Sequence, residues 1–193
     1  GVTITSNAYQ QYIAFANKEG LDRDKIEELP IGGPGVEWLA GQVDCHALYP
    51  FLSEAAAESE RKEVNSIIFY DSGLKMYGQT VVANSNVLKD NPELIGKVTR
   101  ALVKALEYER AHPDEALEIS FKQNPQIVDK KQYHTTVFEG RMALDQKLID
   151  QSTAGDGIQE REIWEETEQI LDELGLLEGD VKLDGFFTNE FIK

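Results

Sequence analysis

YGQTVVANSNVLKDNPELIGKVTRALVKALEYERAHPDEALE, residues 77–118, is the stretch on which the reading of this chain turns. Its first part, residues 79–84, is a β-branched run with the length of a strand. Asn91-Pro92-Glu93 follows. Asn is a good N-cap, Pro fits a first helical turn where its missing N–H would be unpaired anyway, and Glu93 sits where negative charge favours the helix dipole. Leu94, Ile95, Val98, Leu102, Ala105 and Leu106 then recur at helical spacing. They give one apolar face for packing into a core, opposite Lys97, Arg100, Lys104 and Glu107. The helix is expected to stop at His112-Pro113, where Pro113-Asp114-Glu115-Ala116 opens another with the same chemistry.

Side chain by side chain, that is a strand, a core-packing helix and a helical corner. The order of the pieces says more. Tyr77-Gly78, Val81-Val82-Ala83, Asn91-Pro92-Glu93-Leu94, Arg100-Ala101 and His112-Pro113-Asp114-Glu115-Ala116 come in the order found in the returning segment of bacterial solute-binding proteins of the sulfonate, taurine and thiamine-pyrimidine type. The chain resembles that family. Two further phrases agree: Leu39-Ala-Gly-Gln-Val-Asp-Cys45 is similar to the family's Leu-x-Gly-x-Val-Asp-Ala, and Thr188-Asn-Glu-Phe191 to its terminal turn.

Bulk composition sets the limits. At 193 residues, 41% hydrophobic and 28% charged, the chain is globular and long enough to bury a core as one large or two small domains. A formal net charge of -16 repels polyanions, so neither nucleic acid nor an anionic membrane surface is an expected partner. The single Cys45 has no partner for an internal disulfide. No apolar run approaches the ~18 residues of a membrane span, and the opening residues do not read as a basic, apolar leader, so at most a mature form is expected.

From the start, residues 1–5 alternate as a strand, and Ser6 or Asn7 caps a helix to about Lys18 with Ala8, Tyr9, Tyr12, Ile13 and Ala16 inward and Gly20 as its left-handed stop. A strand feeding a capped helix directs backbone N–H groups at a carboxylate, sulfonate or phosphate, but by spacing alone an ordinary strand–helix unit capped by Ser6 is the plainer account. Residues 26–31 read as a short strand and Gly32-Gly33-Pro34-Gly35 as a turn cluster without the spacing of a nucleotide-binding loop. A short helix at 36–42 carries Trp38 and Leu39 as packing residues. Residues 43–49 read as a buried strand, 51–62 as a helix with Ala55-Ala56-Ala57 inward, and 64–70 as another strand. Beyond the central stretch the chain reads as helical at 130–149 and 159–174, joined by a loop at 150–157. Phe186, Phe187 and Phe191 are expected to pin the tail to the core.

Catalytic chemistry is missing. His46, His112 and His134 are far apart in sequence and show no ligand spacing, so no zinc site is expected. No nucleophile elbow or phosphate-binding loop occurs. The carboxylates fall mainly on helix faces beside Lys or Arg, the usual solvated arrangement. No catalytic residue, cofactor or enzymatic activity is therefore expected. Enzymes of the eukaryotic branch of the family, which make the thiamine pyrimidine, carry a cysteine-rich motif that is absent here.

The resemblance implies an α/β, type II periplasmic-binding-protein-like fold of two lobes, the first incomplete. Residues 1–73 would form most of the second lobe, 74–80 the hinge or crossover, and 81–193 the mainly helical returning half of the first. It implies reversible capture of a small organic solute (a pyrimidine or thiamine precursor, a sulfonate or similar) by hinge closure. Delivery would be to the permease of an ABC importer, and the setting periplasmic or extracellular and membrane-anchored. Ligand contacts are expected from Ser6, Asn7 and Tyr9 at the helix start and from Gly33 in the turn. His46 and Tyr49 at the strand end, and Asp71 and Tyr77 at the crossover, complete the set; packing accounts for His46 and Tyr49 as well. Family members carry a further N-terminal stretch supplying the first strands of lobe one. The expectation here is exposed apolar surface, covered either by such a segment or by self-association. An effector-sensing or interaction module of the same fold, and a pyrimidine-biosynthesis enzyme, are the alternatives.

Overall fold

Capping chemistry fixes where the helices begin. In this computed structural model, which describes residues 1–32, 35–151, 154, 157–179 and 181–192, Ser6 Oγ accepts the Tyr9 N–H at 3.2 Å and starts α1 (Asn7–Lys18). α1 ends where Gly20 turns left-handed (φ 66°), letting Leu21 N–H reach Ala16 O at 2.8 Å and Gly20 N–H reach Asn17 O at 3.2 Å. Next come α2 (Val36–Leu39), α3 (Pro50–Ser59) and α4 (Ser85–Asp90). Asn91 Oδ1 accepts the Leu94 N–H at 3.2 Å and opens α5 (Pro92–Ala111), with Pro92 in the first turn as its chemistry demands. Pro113 opens α6 (Pro113–Gln123), whose first turn holds Asp114 and Glu115. α7 (Lys131–Gln151) and α8 (Arg161–Glu173) complete the set, with 3-10 turns at Arg23–Lys25, Phe69–Ser72 and Pro125–Lys130. Ser152, Thr153 and Gly155 of the expected loop lie outside the described residues.

The chain divides into two compact units, Gly1–Lys75 with Asp129–Ala143, and Met76–Val128 with Leu144–Lys193. The first is built round residues 1–3. Val2 N–H donates to Leu29 O at 2.9 Å and Val2 O accepts from Ile31 N–H at 3.0 Å, the pattern of a parallel pair centred on Pro30. On the other side the Gly1 amino group donates to Cys45 O at 2.6 Å, and Gly1 O accepts from Ala47 N–H at 3.2 Å, again a parallel pattern. The spatial order is 29–31, 1–3, 45–47. Val2 (5% exposed), Ala14 and Ala16 of α1 and Ala55–Ala57 of α3 form the core of this unit. Phe15 stacks on Phe69 at 4.6 Å, and Phe51 Cβ lies so close to Gly140 of α7 that a Cβ there would meet it at 3.0 Å.

The second unit is held by side chains. Trp164 of α8 packs against Tyr77, Phe186 and Phe187 at centroid distances of 5.0, 5.0 and 5.9 Å. Asn189 exchanges two hydrogen bonds with the Gln159 backbone, both 2.9 Å, and Phe191 approaches Gly96 of α5. Buried Thr167 donates from its hydroxyl to Ile163 O at 2.7 Å.

The strand expectations are corrected. No ladder of strands forms among the described residues. Residues 26–31 and 43–49 contribute only the short pairings to residues 1–3, and Cys45 and Asp44 are exposed rather than buried. Residues 64–68 are irregular with Ile67 71% exposed, leading to the Phe69–Ser72 turn, and residues 79–83 carry Val81 and Val82 out into solvent. A strand exists only as one side of a hydrogen-bonded pair, and these runs have no neighbour in register. The two-lobe α/β architecture is thus not displayed, and the described chain is mostly helical. The face of α5 is corrected too. Leu94, Val98, Leu102 and Leu106 are 42–48% exposed, while Gly96 is buried and Ile95, Thr99 and Val103 are half-buried. Periodicity aligns residues on one face without saying which face finds a cover. Among the described residues no helix is long and apolar enough to cross a membrane.

Candidate functional site

In the first unit three segments run in parallel and therefore end on the same edge. Residues 1–3 continue through Ser6 into α1, 29–31 lead to Gly32, and 45–47 continue through Tyr49 into α3. The chain goes from 1–3 to 29–31 on one side, then crosses to 45–47 on the other. Winding reverses between 1–3 and 45–47, and in parallel α/β arrangements ligands settle outside the carboxyl ends at such a reversal.

The residues standing there are Ser6, Asn7 and Tyr49. Ser6 Oγ donates to Thr3 O at 2.7 Å while capping α1. Asn7 Nδ2 donates to Tyr49 Oη at 3.2 Å, an exposed bond that joins the two ends directly. It leaves the Asn7 Oδ1 acceptor and the Tyr49 O–H donor to offer. The Tyr49 ring stacks on Phe51 at 5.5 Å, giving the rim an aromatic wall. Thr3 Oγ1 donates to Ile31 O at 3.3 Å and holds the end of residues 29–31 to the same edge.

The other expected site residues are placed differently. Tyr9 O–H donates to Glu28 Oε2 at 2.8 Å, and Arg23 donates to the two Glu28 oxygens at 2.8 and 3.0 Å and to Tyr9 Oη at 3.2 Å. Hydrogen bonding from Arg23 holds the Glu28 carboxyl below its ordinary range, and the bond to Glu28 raises the Tyr9 phenol. His46 stacks on Trp38 at 5.1 Å, its Nε2 is 2.8 Å from Ser53 Oγ, and its Nδ1 is buried without a partner. Burial lowers its pKa, aided by the Gly1 amino group and opposed by Glu37. A Cβ on Gly35, left-handed at φ 92°, would meet His46 Cε1 at 2.9 Å, so the ring is wedged between Trp38 and backbone. Gly33 lies outside the described residues. Asp71 is exposed in the Phe69–Ser72 turn, and Tyr77, in the second unit, accepts the Glu160 N–H at 2.6 Å through Oη.

Sequence reasoning named Ser6, Asn7 and Tyr49, which the structure gathers on one edge. It missed Thr3, Ser53 and the Arg23–Glu28 pair; the five-residue offset of that pair follows no helical or strand period that would have exposed it. Among the described residues no group of His, Cys, Asp and Glu could hold a metal ion.

Comparison with known proteins gives the lineage. Residues 1–116 match the family model described as NMT1/THI5 like. The chain belongs to the NMT1/THI5-like family. That membership agrees with the substrate-binding proteins of sulfonate, taurine and thiamine-pyrimidine type, and it implies a periplasmic-binding-protein-like fold. The chain is also similar to the riboflavin-binding protein RibY of Chloroflexus aurantiacus, 29% identical over 132 residues, which is 67% of this chain and 37% of that protein. The chain thus spans little more than a third of the relative's length. Family and relative together support a protein that binds a small-molecule ligand.

Proposed function

We propose that this NMT1/THI5-like chain works as the ligand-holding part of a solute-binding protein, without enzymatic activity. It captures a small organic solute for an ABC importer permease in a periplasmic or extracellular, membrane-anchored setting. The solute is a pyrimidine or thiamine precursor, a sulfonate or a related compound. The riboflavin-binding relative adds riboflavin to the candidates. The observation that carries the reading is the Asn7–Tyr49 hydrogen bond at the winding reversal. Asn7 and Tyr49 contact the solute with donor, acceptor and ring face, and the α1 N-terminus at Ser6 favours a negatively polarised group. Contacts from Tyr9, Gly33, His46, Asp71 and Tyr77 are proposed from their positions in the family pattern alone.

Residues 1–73 act as most of the second lobe, 74–80 as the hinge, and 81–193 as the returning half of an incomplete first lobe. Supporting the hinge position are the division of the chain between Lys75 and Met76 and the left-handed Gly73 (φ 76°) just before it, while Asp129–Ala143 groups with the first unit. The exposed stripe of α5 supports self-association through that helix. Light scattering checks it, a monomer at all concentrations refuting it.

A thermal-shift screen with pyrimidines, sulfonates, aromatic acids and riboflavin tests the function, followed by calorimetry of the responding compound. Asn7→Ala and Tyr49→Phe are expected to weaken it about tenfold or more, a loss of ~1.4 kcal/mol each. Binding unchanged in both variants, or no compound that shifts the melting, defeats the reading.

A further inference from the structure

The second unit carries a feature that the solute reading does not use. α8 and the segment after it enclose a hollow of about 100 Å³, lined on its open side wholly by apolar atoms. Trp164, Thr167 and Leu171 form its helical wall, with Leu177, Leu183 and Phe186 opposite. Phe186 is 55% exposed, so the mouth reaches solvent through apolar surface. The volume falls below that of a cavity able to hold benzene, ~150 Å³, and is of the order of one aliphatic side chain.

The stretch of chain that builds it is acidic. Residues 160–184 hold ten Asp or Glu against Arg161 and Lys182, a net of -8 and half of the chain's -16. Glu168 lines the hollow itself. Glu165 and Asp172, one helical step away, are exposed on the same flank of α8. Arg161 is engaged by Asp184 at 2.5 Å and Glu165 at 3.3 Å. An apolar socket inside so negative a field selects against acidic and neutral partners. It selects for a cationic partner that also offers something to bury.

We propose that this hollow is a docking socket for a basic segment of another protein, a Lys- or Arg-rich stretch that seats one Leu- or Ile-sized side chain between Trp164, Leu171 and Phe186. The buried side chain supplies most of the affinity, in the manner of an interface anchor ringed by residues that exclude water. The carboxylates of Glu165, Glu168 and Asp172 steer the segment in and fix its direction. The site shares no residue with the Asn7–Tyr49 rim and stands apart from the solute reading.

The test uses the whole chain and a synthetic decapeptide with one central Leu flanked by Lys and Arg. Calorimetry at low salt should show saturable binding. Replacing the central Leu by Ala, or making Phe186→Ala in the protein, should each weaken it about tenfold or more. Glu168→Lys with Asp172→Lys, both surface changes that leave the core intact, should do the same and flatten the salt dependence. Trp164 emission in a Trp38→Phe background should move on binding. Absence of saturable binding, or equal affinity for the Ala peptide, would overturn the proposal. So would binding indifferent to Phe186→Ala or to the charge reversal, since any of these reduces the effect to diffuse attraction between a polycation and an acidic protein.

Discussion

Residues 1–5 and 79–84 are written in the same chemistry, GVTIT and QTVVAN, yet they end up in opposite circumstances. Val2 is 5% exposed, with an extended segment hydrogen-bonded on either side. Val81 and Val82 are 58% and 87% exposed. A β-branched residue fits a pleated, half-buried surface and does not create one. The first run meets residues 29–31 and 45–47 and becomes the axis of its unit. The second meets no partner among the described residues, and its unit is organised instead by an aromatic side chain on a helix.

The strongest way to break this contrast is to remove the side chain on which the second unit leans. Trp164→Ala deletes the ring that touches Tyr77, Phe186 and Phe187, together with its indole N–H bond to Gln159 Oε1 at 2.8 Å. A loss of about 3–5 kcal/mol is expected for such a truncation. Hydrogen exchange resolved by residue is the right measurement, because a chain of two units need not unfold in one step. Protection should fall in α8 and the tail while residues 1–3 stay protected. Uniform loss across both units would show that the chain unfolds as one cooperative whole.

Val2→Ala probes the other side. Two buried methyl groups are worth about 2 kcal/mol with the cavity they leave. The loss should appear first in the amides of Ile31 and Ala47, which donate to Val2 and Gly1. Ser6→Ala removes the cap of α1 and should cost about 1 kcal/mol, with Ser6→Gly milder. Chemical denaturation followed by circular dichroism measures both.

The pairing should also show in pH. His46 lies opposite Gly1 in the parallel pattern, and burial, with help from the Gly1 amino group and against Glu37, keeps its pKa below the ordinary ~6.5. The unfolded chain therefore binds the proton more readily than the folded one. The stability contributed is complete above ~6.5 and is lost as pH falls toward the folded value. Denaturation midpoints should decline from about pH 7 to pH 5, and His46→Gln should flatten that part of the profile.

These positions show what was legible. Ser6, Asn91 and Pro113 announced helix starts because capping is a local transaction between one side chain and the next turn. Gly20, left-handed, announced a helix end for the same reason. Extended segments at 1–3, 29–31 and 45–47 were legible, but which β-branched runs would find a partner was not. Residues 64–68 and 79–84 have the right composition, but pairing is decided by chain far away in sequence. The α5 stripe failed likewise: Leu94, Val98, Leu102 and Leu106 share a face, and the covered face is the one with Gly96 and Val103. Of the site, Asn7 and Tyr49 were reachable because each follows an extended segment into a helix. Their hydrogen bond, 42 residues apart, was not.

The smallest effect makes the sharpest test of the comparison. Val82→Thr keeps the β-branch and the shape and adds a hydroxyl. At 87% exposure that hydroxyl meets water, and the change should stay within about 0.5 kcal/mol of zero. Were Val82 instead covered in solution, by a second copy paired along residues 79–83 or by any other strand, the hydroxyl would be buried without a partner. The cost would then rise to about 1–3 kcal/mol. It would also grow with protein concentration if a second copy were the cover, since association stabilises by mass action. Measuring Val82→Thr at two concentrations, beside Val2→Thr as the buried control, therefore decides whether an exposed strand sequence stays solitary in solution.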